Sequence, residues 1–169
     1  MTRKRPALAA VLLFCCMGSG YESVNAGERA LNAALEMRGV PYSWGGGGAN
    51  GPSFGIGRGA TTVGFDCSGL TQYAWARAGV RIKRTARGQW RNGWPVPEGQ
   101  VRPGDLVFYD SNPVSPGPEH VGIAVDGERI VHASSTGGFV TFAPLVRRGY
   151  MGAVRPAETA PTTSEAATG

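Results

Sequence analysis

The stretch from Gly64 to Leu70 most constrains the fold, because it leads a turn into a helix that carries a cysteine. Asp66 is a good helix N-cap, and about eleven residues follow before a glycine at position 79, with apolar side chains on one face. Cys67 falls in the first turn, where unpaired N–H groups and the helix dipole favour a thiolate. It is a candidate nucleophile, although most lone helical cysteines are packing residues.

The first 26 residues predict a secretory signal peptide. The basic run 3–5 precedes an apolar run over 7–17, and small residues before Gly27 offer a cleavage site. This apolar run is too short to span a bilayer as a helix. We therefore expect export to the periplasm, the cell wall or the medium, without stable membrane insertion. The alternative is a lipoprotein, with Cys15 or Cys16 as its anchor.

The sequence contains three cysteines, and after removal of the predicted signal only Cys67 remains. A single thiol cannot form a disulfide within the chain, and an idle thiol is a hazard in an oxidising compartment. Reactivity therefore explains this cysteine better than packing does.

The net charge excludes a nucleic-acid partner. The full chain carries +5, and removal of residues 1–26, with three basic residues and one acidic residue, leaves +3. No dense basic run remains. Neither cofactor nor oligomeric state is indicated by the sequence.

The order of the elements predicts an α+β domain over 27–156, followed by a disordered Ala/Thr/Ser/Pro-rich tail over 157–169. Residues 45–59 contain eight glycines and predict a loop that lines a substrate site, or simply a long loop. This loop lacks the Gly-Lys-Ser/Thr ending of a phosphate-binding loop. We expect helices over 27–39, 66–78 and 85–90, a loop over 93–97, and strands over 105–110, 120–125, 129–134, 139–142 and 150–154.

The only two histidines, His120 and His132, lie on two strands joined around Asp126 and Gly127. A two-residue turn would place the histidines on opposite faces, whereas a three-residue loop over 125–127 would place them directly opposite each other on one face. We expect the second arrangement, with Gly127 in the left-handed conformation.

This arrangement predicts a three-residue catalytic group. Cys67 attacks an acyl carbon, His120 takes its proton and delivers it to the leaving amine, and His132 orients His120. Backbone N–H groups at the start of the helix stabilise the oxyanion. The alternative, in which the same three residues bind a metal, is weaker, because their spacing matches no common zinc site.

The ordered set of motifs resembles the NlpC/P60 cysteine peptidases. The motifs are Tyr-Ser-Trp-Gly-Gly from 42, Asp-Cys-Ser-Gly-Leu from 66, Arg-Thr from 84 with a glutamine at 89, Arg-Pro-Gly-Asp-Leu-Val-Phe-Tyr from 102, His-Val-Gly-Ile from 120 and His-Ala-Ser from 132. The resemblance covers about residues 28–156. The glycine-rich segment is most similar to that of mycobacterial Rip-type peptidoglycan endopeptidases.

The resemblance implies a papain-like α+β fold, with the cysteine helix packed on an antiparallel sheet. It implies hydrolysis of the bond between γ-D-glutamate and a diamino acid in bacterial peptidoglycan. It assigns the nucleophile to Cys67, the base to His120 and the orienting role to His132, where Rip-type enzymes often have glutamate. Tyr42 would help bind the reacting centre, and Asp66 and Ser68 would line the substrate groove. All three also have structural explanations: Tyr42 as a core aromatic residue, Asp66 as a cap and Ser68 as a helix residue.

Two other functions stay open. Related papain-like cysteine domains act as N-acetylmuramoyl-L-alanine amidases, and a domain of this fold can also bind the wall without catalysis. The retention of both Cys67 and His120 favours catalysis.

Overall fold

The computed structural model describes residues 25–112, 114 and 117–156. The predicted tail over 157–169 and all but the last two residues of the predicted signal lie outside these residues. Helix α1 spans Ala26–Glu36, and Asn25 and Glu28 form a capping box at its start. Cleavage before Gly27 would remove this cap, and the cleavage site stays a prediction.

The elements follow the predicted order of helices and then strands. Helix α2 spans Cys67–Arg77 and α3 spans Ala86–Trp90. The glycine-rich region adds a short ribbon, β1 (Ser53–Phe54) and β2 (Val63–Gly64), with a 3₁₀ turn at Gly57–Gly59 between its strands. The remaining strands are β3 (Trp94–Val96), β4 (Leu106–Tyr109), β5 (His120–Ala124), β6 (Arg129–Ala133), β7 (Val140–Pro144) and β8 (Tyr150–Arg155).

Within the described residues, these six strands form one antiparallel sheet in the order β3-β8-β4-β5-β6-β7. Helices α1 and α2 pack on each other, and α2 packs on β5 and β6. The main core joins Leu70 and Trp75 of α2 to Phe108, Val121 and Val131 of the sheet. An α+β fold with the cysteine helix on an antiparallel sheet is therefore confirmed. In the same residues, no helix is long and apolar enough to cross a membrane.

The residues that begin and end α2 are the ones that the sequence predicts. The Asp66 carboxylate accepts a 2.6 Å hydrogen bond from the N–H of Gly69, and Gly79 ends the helix with a φ of 87°. Helix α3 begins in the same way, because the Thr85 hydroxyl accepts from the N–H of Gly88.

The predicted loop over 93–97 is wrong, because it contains β3. Pro95 has no N–H to donate, but β3 pairs with β8 alone and is an edge strand, where proline is tolerated.

The predicted hairpin register is wrong by two residues, although the predicted face is right. Ile123 pairs with Val131 and Ala124 with Ile130, which places His132 opposite Gly122 and diagonal to His120. A shift of two residues keeps every side chain on its face, so the histidines still meet.

The turn of this hairpin depends on an aspartate rather than on a glycine. One Asp126 oxygen accepts from the N–H groups of Glu128 and Arg129, and the other accepts from the Arg129 guanidinium. This side chain closes the turn, and Gly127 has no positive φ.

Candidate active site

Cys67 is the first residue of α2, and its side chain lies at the base of a pocket. The thiol is 8% exposed, and its Sγ lies 3.8 Å from the carbonyl oxygen of Glu119. Hydrogen bonds from the N–H groups of Val121 and Ser68 lower the pKa of the thiol, but burial and the nearby Asp66 carboxylate outweigh them and raise this pKa to about 11. The expected preference for a thiolate is therefore outweighed by burial, and the thiol is protonated at neutral pH.

The two histidines contact each other directly. Nε2 of His120 lies 2.7 Å from Nδ1 of His132, and the rings meet edge to face. Burial lowers the pKa of His120 to about 3, with further contributions from His132 and Arg147. Burial and Arg147 lower the pKa of His132 to about 4. Both imidazoles are therefore neutral at pH 7.

Arg147 was not singled out by the sequence analysis. Its guanidinium lies 4.3 Å above the ring of Tyr109, and that ring is 5.9 Å from His120. Arg147 lies about fifteen residues from His132 in the chain, so no local motif connects them.

The predicted nucleophile and base line the same pocket, which has a volume of about 1000 Å³. Tyr42, Asp66 and Ser68, the predicted substrate-binding residues, also line it. His132 is 4% exposed and contacts His120 without being part of the pocket lining. The remaining lining residues come from the glycine-rich loop, from α3, and from the segments that flank β5 and follow β6: Trp44, Gly45, Ile56, Arg58, Thr85, Ala86, Arg87, Pro118, Glu119, Ser134, Ser135 and Thr136.

Tyr42 is a partly buried residue of the pocket lining. Its hydroxyl has a pKa raised to about 12, chiefly by burial and then by Cys67 and Asp66, whereas Arg58 and Arg84 oppose the shift. Tyr42 is therefore a hydrogen-bond donor at neutral pH, and its substrate-binding role stays a prediction.

Arg84 makes several hydrogen bonds to the pocket residues Asp66 and Ser68. Its guanidinium binds both Asp66 oxygens at 2.9 Å, and it also donates to the Ser68 hydroxyl and to the carbonyl oxygen of Gly46. These contacts join the start of α2 to the glycine-rich loop. Asp66 and Ser68 are thus structural residues that also face the pocket, and their role in binding substrate stays a prediction.

Replacement of Arg84 by glutamine should lower the free energy of unfolding by about 1–2 kcal/mol, because it leaves the Asp66 carboxylate with hydrogen bonds from only the Gly69 N–H and the Ser68 hydroxyl. Urea titration measures the change. The matched control is Arg129→Gln, which breaks the more exposed pair with Asp126 and should cost much less. Equal losses in the two variants would contradict this role for Arg84.

The metal alternative has no support from the geometry. Among the described residues, no three His, Cys, Asp or Glu side chains lie close enough together to hold a metal ion.

The chain is similar to proteins of one family over most of the described residues. The NlpC/P60 family model matches residues 39–155. Peptidoglycan endopeptidase RipB of Mycobacterium tuberculosis strain H37Rv is 43% identical over 122 residues, which cover 72% of this chain and 49% of the relative. RipA of Mycolicibacterium smegmatis is 40% identical over 126 residues, covering 75% and 24%. The chain thus spans half or less of the length of these curated relatives.

Solved structures agree with the sequence matches. The structure of the peptidoglycan hydrolase RipB from M. tuberculosis superposes with a TM-score of 0.71 at 41% identity, covering 79% of this chain and 65% of the other. RipD of the same species, a non-catalytic NlpC/P60 domain protein adapted to peptidoglycan binding, gives a TM-score of 0.69 at 36% identity, covering 78% and 97%. With its fold, its cysteine helix and its paired histidines, the chain belongs to the NlpC/P60 family.

Proposed function

We propose that the domain is a cysteine endopeptidase that cleaves peptidoglycan stem peptides. One observation carries the proposal: Cys67 at the start of α2 lines one pocket with His120, whose Nε2 is 2.7 Å from Nδ1 of His132. This is the arrangement of a nucleophile, a base and an orienting group.

The contact between the histidines selects a tautomer for the base. Both rings are neutral at pH 7, so one of the two facing nitrogens donates and the other accepts. If Nε2 of His120 donates to Nδ1 of His132, then Nδ1 of His120 is free to accept the Cys67 proton. The opposite assignment would leave His120 with a proton on Nδ1 and no basic nitrogen for the thiol. We therefore assign the first tautomer.

The reaction then follows with its protons balanced. As Sγ of Cys67 bonds to the substrate carbonyl carbon, the thiol proton passes to Nδ1 of His120. The N–H of Cys67 has no partner within the helix and supports the oxyanion. The C–N bond breaks as His120 gives its proton to the leaving amine. Water, deprotonated by His120, hydrolyses the thioester and restores the thiol.

The proposed substrate is the bond between γ-D-glutamate and meso-diaminopimelate in the peptidoglycan stem. The names of the RipB and RipA relatives support peptidoglycan as the polymer and an endopeptidase as the activity. We also propose that the protein acts outside the cytoplasm, on the basis of the signal peptide predicted over 1–26.

A wall-binding domain without catalysis is the second candidate, because the similar RipD is described as non-catalytic. The fold alone therefore does not establish hydrolysis. The presence of Cys67, His120 and His132 around one site favours the enzyme.

The test is incubation of the purified protein with L-Ala-γ-D-Glu-meso-diaminopimelate muropeptides, with mass spectrometry of the products. We expect L-Ala-D-Glu still attached to muramic acid and free diaminopimelate-containing peptide, with Cys67→Ala protein as the control for contaminating hydrolases. Release of the intact stem peptide from muramic acid would identify an amidase instead. Binding without any product would support the wall-binding domain.

A further inference from the structure

Arg58 is a pocket residue that the proposed reaction does not use. Its guanidinium lies 4.0 Å from the centre of the Trp44 ring, and both residues line the pocket that contains Cys67. A stack of this kind holds the guanidinium face and leaves the N–H groups at its edge available to a ligand.

The turn that carries Arg58 is fastened to the Trp44 segment. The N–H of Ile56 donates to the carbonyl oxygen of Trp44 at 2.8 Å, and the Ser43 hydroxyl donates to the carbonyl oxygen of Gly59 at 3.1 Å. A Cβ at Gly59 would lie 2.5 Å from the carbonyl oxygen of Trp44, so this close approach requires glycine. Because the turn is already ordered, a ligand that binds Arg58 has little backbone entropy to overcome.

The charge of Arg58 is not used within the described part of the chain. Arg84, which contacts the pocket residues Asp66 and Ser68, forms an ion pair with Asp66. No carboxylate of the described residues lies within 4 Å of Arg58, and its guanidinium contacts the Trp44 ring. Arg58 is therefore a positioned cation of the pocket lining that no carboxylate of the described residues pairs with.

The position of Tyr42 relates this cation to the reacting centre. The Tyr42 hydroxyl is close enough to Cys67 for its pKa to be raised by the thiol, and close enough to Arg58 for its pKa to be lowered by the guanidinium. Because Arg58, Tyr42 and Cys67 line one pocket, a group bound by Arg58 would lie in the pocket that contains the nucleophile.

We propose that Arg58, held on Trp44, binds a carboxylate of the substrate beside the scissile bond and makes the site selective for free acids over carboxamides. The inference rests on the proposed function, because it takes the stem peptide as the substrate. In a γ-glutamyl linkage the α-carboxylate is not part of the scissile amide, and meso-diaminopimelate carries a further carboxylate at its side-chain end. Guanidinium groups bind carboxylates through two parallel N–H···O bonds, which a neutral carboxamide cannot reproduce.

The test compares three stem peptides: the free acid, the peptide amidated at the glutamyl α-carboxyl, and the peptide amidated at the side-chain carboxyl of diaminopimelate. Dissociation constants are measured by calorimetry in the Cys67→Ala background, and KM and kcat with the active protein. Arg58→Gln should weaken binding of the free acid by about tenfold or more and raise KM with little change in kcat. The affinity for one of the amidated peptides should not change, because that peptide already lacks the carboxylate that Arg58 binds. The position of its amide therefore identifies this carboxylate.

Two variants control the comparison. Arg81→Gln removes the same charge from an exposed position outside the pocket and should leave all three affinities unchanged. Arg58→Lys keeps the charge without the paired N–H geometry and should recover part of the loss.

The two proposals fail in different ways. If Arg58→Gln affects all three peptides equally or none of them, the proposed carboxylate site is wrong. Hydrolysis by the wild-type protein would still support the proposed enzyme activity in that case. Arg58-dependent binding without hydrolysis would overturn the enzyme and uphold the carboxylate site. Absence of binding by all three peptides would overturn both.

Discussion

Cys67→Ala protein is expected to hydrolyse the stem peptide roughly 10⁴- to 10⁶-fold more slowly than wild-type protein, with peptide affinity retained. The substitution removes the only thiol of the described residues, and alanine keeps the first turn of α2 and its Asp66 cap. Initial rates from chromatography of the products give kcat/KM, and calorimetry gives the dissociation constant. A variant that retains a tenth of the activity would contradict covalent catalysis by Cys67.

His120→Gln supplies the companion measurement, because nucleophile and base act in one step. Loss of the base should lower kcat by about 10²- to 10⁴-fold. The double variant should be no slower than Cys67→Ala alone, since a base has no function without its nucleophile. If the rate loss of the double variant instead equals the product of the two single-variant losses, the two residues act independently.

His132 is expected to have a smaller, graded effect, because it acts through His120. Asparagine places an acceptor oxygen where Nδ1 lies, whereas leucine removes the acceptor. His132→Asn should therefore keep much more activity than His132→Leu. Similar losses in both variants would show that packing, rather than the hydrogen bond, explains the effect.

The parts of the fold that depend on neighbouring residues were predictable. Asp66 and Thr85 cap helices as short-range rules require, and Gly79 supplies the positive φ that ends α2. The alternation of side chains on strands was sufficient to place both histidines on one face. The grouping of Cys67, His120 and His132 could thus be predicted from the sequence, whereas their catalytic roles stay predictions.

The hairpin register shows the limit of such rules. Glycine in a short loop favours the left-handed conformation at Gly127. In the structure the Asp126 side chain instead closes the turn by accepting hydrogen bonds from the N–H groups of Glu128 and Arg129, and Gly127 has no positive φ. Glycine and aspartate both favour turns, each for a different physical reason, so the residue types alone do not decide between the two turns. The error was harmless to the site because a shift of two residues preserves the face.

Contacts between distant segments were not predictable from motifs. Arg84 reaches the Asp66 carboxylate and the loop at Gly46, and Arg147 reaches the Tyr109 ring beside His120. Each contact joins elements whose relative positions depend on how the whole sheet packs. The pKa of Cys67 was also misjudged, because the helix dipole is local whereas burial depends on the entire core.

The paired histidines should make the fold sensitive to mild acid. Unfolded histidines have a pKa near 6.5, and in the folded protein those of His120 and His132 fall to about 3 and about 4. Between these values the unfolded chain binds more protons, so the free energy of unfolding decreases as pH falls. From pH 6.5 to 4.5 we expect a loss of about 2–5 kcal/mol for the pair, measured by urea titration at each pH.

The His132→Asn variant separates the two contributions. Asparagine does not titrate, so the variant should lose roughly half as much stability over the same range as the wild-type protein, because only His120 still binds a proton on unfolding. The carboxylates should contribute little here, since the unperturbed pKa values of Asp and Glu lie below this range. A stability that is constant from pH 6.5 to 4.5 would mean that the histidines are charged or solvated in the folded protein, and the neutral tautomer on which the proposed proton transfer depends would then be wrong.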